Sequence, residues 1–72
     1  MTLQFLEKAC FAKPFEPFFL HLADGRELHV PHPEFVVFLP SKWIVTVFDR
    51  DGSRNWVDLE LVTGLRFPHG ET

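Results

Sequence analysis

Phe18-Phe19-Leu20-His21-Leu22-Ala23-Asp24-Gly25-Arg26-Glu27-Leu28-His29-Val30 is the stretch on which the fold turns. Phe18, Leu20 and Leu22 alternate with Phe19, His21 and Ala23, and after the turn signal Asp24-Gly25, Leu28 and Val30 alternate with Glu27 and His29. A period of two on both sides of a turn is a β-hairpin. Its register follows from the side chains. A two-residue Asp24-Gly25 loop would set Leu20 against His29 and Leu22 against Glu27, with polar groups opposite the core face. A three-residue loop, Ala23-Asp24-Gly25 with Gly25 left-handed, sets Leu20 against Leu28 and Phe18 against Val30. The second register is expected. Asp24 and Gly25 then make the structural turn, and Phe19, His21, Glu27 and His29 share the opposite, more polar face.

Downstream, Pro31-His32-Pro33-Glu34-Phe35 cannot continue a central strand, and His32-Pro33 reads as the cap and first residue of one tight helical turn. Val36 to Leu39 is a short strand, Pro40-Ser41-Lys42 breaks it, and Trp43 to Phe48 is the strongest strand in the chain, β-branched or aromatic throughout. Asp49 to Ser53 is a hairpin loop, Arg54 to Asp58 a returning strand, Leu59 to Val62 a tight turn, and Thr63 to Phe67 a short closing strand. Residues 68–72 are expected to fray. Upstream, Leu3, Leu6 and Cys10 recur at helical spacing with Phe11 beside them, and Thr2 can cap. A short helix over residues 3–12 follows, ending before Pro14, with an extended connector over 13–17. It is too short to be stable alone and must dock its apolar stripe.

The pattern is therefore mainly β (α+β): one helix and then about five short strands over residues 18–67, which predicts a small, strongly bent, five-stranded antiparallel barrel. An open α+β sheet with the helix on one face is the alternative. Seventy-two residues allow a single domain, and such a chain needs a rich core; 46% hydrophobic and 15% aromatic residues supply it and exclude disorder. The net charge of -3 argues against a field that gathers phosphate backbones or anionic membranes. One cysteine makes no internal disulfide, no signal peptide is visible and no run approaches a membrane span. A cytoplasmic domain is expected, with packing or association as its stabiliser.

Pro14-Phe15-Glu16-Pro17-Phe18, Leu22-Ala23-Asp24-Gly25-Arg26 and His32-Pro33-Glu34-Phe35 together resemble a family of short, uncharacterised bacterial proteins of about this length. That resemblance implies no activity. A looser likeness, in strand order and in the first hairpin, is to the Rho inhibitor Rof and other Sm-like proteins. It implies an Sm-like or SH3-like form for the barrel and a link to RNA or to an RNA-binding partner.

The chemistry-bearing residues read mostly as ordinary surface and core. His21, Glu27 and His29 share a face with His32 just beyond, a polar cluster whose spacing matches no known metal motif. No metal, cofactor or catalytic residue is expected. Ser41 and Ser53 sit in turns, and Cys10 lies on the apolar stripe of the helix, where a thiol is a small hydrophobe. Asp49, Asp51 and Gly52 resemble the start of a calcium loop, but the chain returns as a strand where the closing acid should stand. Pro14-x-x-Pro17 has the minimal spacing of an SH3 ligand, flanked by phenylalanines that favour packing instead.

The informative excess is aromatic. Trp43 to Phe48 is apolar on both faces, with Thr46 its one polar side chain, so either the helix or another subunit must cover the second face. Trp43, Val45, Val47, Phe48 and Trp56 are the expected interface. The sequence thus predicts no enzyme but a small interaction or regulatory module that forms a homo-oligomer, a dimer favoured, and binds a protein partner not identifiable from sequence. An Sm-like RNA-binding protein is the alternative, disfavoured by the net charge.

Overall fold

In the computed structural model, residues 1–41 and 43–68 are described, so of the tail expected to fray, 69–72 lie outside the described residues. Thr2 opens the helix α1, Leu3–Cys10, its hydroxyl accepting from the Phe5 amide at 3.3 Å. Six strands follow: β1 Phe18–Leu22, β2 Glu27–Val30, β3 Val36–Phe38, β4 Ile44–Phe48, β5 Arg54–Asp58 and β6 Val62–Arg66. One-turn 3-10 helices, Pro33–Phe35 and Leu59–Leu61, precede β3 and β6.

The hairpin has the expected register. Phe18 faces Val30 and Leu20 faces Leu28. Gly25 has φ +92°, a left-handed conformation that glycine adopts without steric cost. The turn closes through Leu22 N to Arg26 O at 2.8 Å, while the Asp24 carboxylate accepts from the Arg26 amide at 3.0 Å.

The expected five-stranded closed barrel, Sm-like or SH3-like, is not formed. The strands make two separate antiparallel sheets, ordered β2-β1-β6 and β3-β4-β5. Closure needs a strand that bends continuously from one sheet into the other, and here Pro31 and Pro33 withdraw two donors and the turn at Pro33–Phe35 breaks the ladder between β2 and β3. The turn at Leu59–Leu61 does the same between β5 and β6. The closing strand, expected over Thr63 to Phe67, runs one residue earlier as β6 and pairs with β1 across a bulge at His21/Leu22.

Both sheets contribute to one core. Phe18, Leu20 and Val30 from the first sheet meet Val36, Val45 and Val47 from the second, and Leu6 and Cys10 of α1 complete the cluster. The amino terminus ties the helix down, donating to Leu59 O at 3.0 Å and Val62 O at 3.4 Å. Two expectations need correction. The helix ends at Cys10 rather than at residue 12, and Phe11, expected in the docked stripe, is 63% exposed and leans on Phe38 with ring centres 5.8 Å apart. Val45 and Val47, expected at an interface, are fully buried. They point inward because strand alternation sends Ile44, Thr46 and Phe48 out.

Candidate functional site

Two outward sheet faces carry the residues singled out above. On the first sheet, Phe19 of β1 lies opposite His29 of β2 and Arg66 of β6. Its ring stacks on His29 with centres 4.6 Å apart, and the Arg66 guanidinium carbon sits 4.4 Å from the ring centre. Arg66 then reaches Glu27, its Nε and Nη2 each donating at 3.0 Å. His21 Nδ1 lies 3.6 Å from the same carboxylate. The Arg66 hydrogen bond holds the Glu27 carboxyl below the usual range, with the charge of Arg66 and the contact to His21 adding to it.

The expected polar cluster is thus partly assembled. His21 meets Glu27, whereas His29 is committed to Phe19, and His32, beyond the end of β2, leans on Phe35 with ring centres 5.9 Å apart. Among the described residues no three His, Cys, Asp or Glu side chains are placed to hold a metal ion. Phe19 lies on this face as expected from the sequence, whereas Arg66, which organises it, is not expected there because it joins the face only through the β1–β6 register.

The remaining polar residues serve local structure. Ser53 Oγ donates to Asp51 at 2.7 Å and its amide to the same carboxylate at 2.9 Å, which lowers the Asp51 pKa and closes the β4–β5 hairpin. Asp49 accepts from Asn55 at 3.1 Å, so both acids of the calcium-like loop are occupied by hairpin donors. Cys10 is buried, and burial, assisted by Glu7, pushes its thiol up to about 11. Such a thiol is protonated at neutral pH and packs as a small apolar group. Phe15 of the Pro14-x-x-Pro17 segment packs on Phe18, with ring centres 5.9 Å apart.

The second sheet's outer face combines apolar side chains with a buried Thr46 at its centre and with Arg54 and Asp58 along β5. Val37, Thr46 and Trp56 lie in one row across β3, β4 and β5, flanked along β4 by half-buried Ile44 and Phe48. Trp56 is 76% exposed and Trp43, just before β4, 64% exposed. The helix does not cover this face, since its buried residues enter the core from the other side of the sheet. Trp43, Phe48 and Trp56 are expected here from the sequence and Val37 and Ile44 are not, although the alternation of Ile44 with the buried valines marks it for this face.

Fold and faces define a small, mainly β domain: among the described residues, one helix and two three-stranded antiparallel sheets around a single core. Comparison with family models, curated proteins and solved structures gives no match. Among the described residues no helix is long and apolar enough to cross a membrane.

Proposed function

We propose that this protein is a small non-enzymatic interaction module of the cytoplasm that self-associates, and engages a protein partner, through the outer face of β3-β4-β5. The observation that carries this reading is Trp56, 76% exposed at the middle of β5, between Arg54 and Asp58 on a face that also carries Ile44, Phe48 and, one strand further, Val37. A large aromatic in an apolar patch on a chain this small favours association over solvent. The composition supports a protein surface as the counterpart: the net charge is -3, and Arg66 is held by Glu27. A lone, buried cysteine accords with a reducing compartment.

Sedimentation velocity from low micromolar to millimolar protein tests it. Wild type shifts from monomer toward dimer as concentration rises, and Trp56→Ser stays monomeric over the same range. A wild-type chain that remains monomeric throughout overturns the self-association reading.

A further inference from the structure

The β5 edge has a symmetry that the outer face alone does not reveal. β5 is an outer strand of its sheet, and its ladder with β4 is phased by bonds at both ends. Leu59 N donates to Trp43 O at 2.8 Å, and Asp49 N to Ser53 O at 2.9 Å. In an antiparallel ladder bonded and non-bonded pairs alternate, so Asn55 and Val57 direct their backbone groups at β4. Arg54, Trp56 and Asp58 therefore direct theirs away, at the free edge. The same three side chains share the outer face, because their partners Phe48, Thr46 and Ile44 do.

We propose that two copies of the chain join β5 to β5, antiparallel, about a two-fold axis through Trp56. This rests on the self-association reading above. The axis sets Trp56 opposite itself and Arg54 opposite Asp58 of the second copy, twice. All three positions become reciprocally bonded pairs, so each outward N–H and C=O finds a partner. Opposite charges face each other on one sheet face, around an aromatic pair. A parallel alignment in register would instead set Arg54 on Arg54 and Asp58 on Asp58. Among the described residues no other sheet edge has this pattern: β3 carries no charge, β6 carries one at one end, and Glu27 of β2 is held by Arg66. Among the described residues Arg54 makes no ion pair of its own. The half of the edge at Trp56 and Asp58 lines a cleft of about 330 Å³ whose other wall is Leu22, the last residue of β1, with Ala23, Asp24 and Arg26 of the turn that follows.

Charge reversal tests the register. Arg54→Asp and Asp58→Arg are made as separate chains, each checked for folding by its melting curve. Either alone brings like charges together at two places and weakens self-association about tenfold or more. An equimolar mixture restores a dimer of wild-type strength, because every cross-strand pair is again opposite. Asp58 also accepts from the Glu60 amide at 2.9 Å, so amide exchange on the wild type provides a second arm that needs no variant. The amides of Arg54, Trp56 and Asp58 slow as concentration rises, while those of Asn55 and Val57 do not change. Dimers indifferent to both reversals, or protection that appears away from β5, overturn the two-fold β5 pairing and leave self-association standing. A wild-type monomer at every concentration removes both.

Discussion

Arg66, the last residue of β6, grips Glu27, the first residue of β2, with two hydrogen bonds of 3.0 Å that span the intervening strand β1. The pair fastens the edges of the first sheet to each other over the Phe19 ring. Because the contact lowers the Glu27 pKa, its contribution to stability is present above the ordinary glutamate value of about 4.3 and is lost as pH falls through the lowered one. Glu27→Gln is therefore less stable than wild type at pH 7, and the gap closes on acidification. Thermal midpoints of both chains from neutral to acid pH measure this. The variant retains some acid sensitivity, since Asp24 and Asp51 are also held below the usual carboxylate range by hydrogen bonds within their turns. A constant gap at every pH would show that the ion pair is not what the substitution removed.

Gly25 has φ +92° with open space where a Cβ would stand. Gly25→Ala therefore costs about 1 kcal/mol from backbone strain alone, with no clash to add to it. Gly64, in β6, also has open space around the missing Cβ but no left-handed φ. Gly64→Ala is accordingly neutral or stabilising by up to about 0.5 kcal/mol, because alanine loses less chain entropy in a strand. Urea denaturation of the two variants side by side separates conformation from packing. Equal effects at both positions would refute the assignment of the turn.

That same turn shows which parts of the fold were legible in the sequence. The β1–β2 register was readable because two independent signals agreed, the apolar alternation and a glycine placed for a left-handed bulge. The barrel was misread because closure depends on the path of the backbone through Pro31–Phe35, and a pattern of apolar residues does not report whether a strand resumes in the same ladder. β4 defeated the period for another reason: a strand apolar on both faces gives no sign of which face is inner. Val45 and Val47 are therefore expected at an interface, whereas it is Ile44 and Thr46 that point away from the core, Thr46 with only 6% of its surface exposed. The Arg66–Glu27 contact joins residues 39 apart and depends on a β1–β6 register that contains a bulge, so no local reading could reach it.

Leu6 is fully buried and is the main side chain through which α1 enters the core. An eight-residue helix has little stability of its own, so its persistence depends on that contact. Leu6→Ala costs about 3 kcal/mol, a large part of the stability of a domain this size. Far-ultraviolet circular dichroism with urea titration reads the loss. If the variant unfolds at the wild-type midpoint, the helix is not docked through Leu6.

Cys10 makes the core sensitive to alkali. Its thiol is raised from an ordinary value of 9.0 to about 11 by burial in the folded chain, with the nearby Glu7 charge adding to the shift. The unfolded chain ionises first as pH rises, so the folded chain binds more protons between those two values and stability falls across that window. The contribution is complete below the unfolded pKa, and about 3 kcal/mol of it is lost by the time the folded thiol ionises. Cys10→Ala loses some packing at neutral pH but shows a flatter alkaline limb than wild type. In the native chain at pH 8, reaction of Cys10 with a thiol reagent is slow and tracks the opening of the α1 contact, so Leu6→Ala accelerates it. Rapid labelling of the wild type, at the rate of a free cysteine, would show that the thiol is neither buried nor raised.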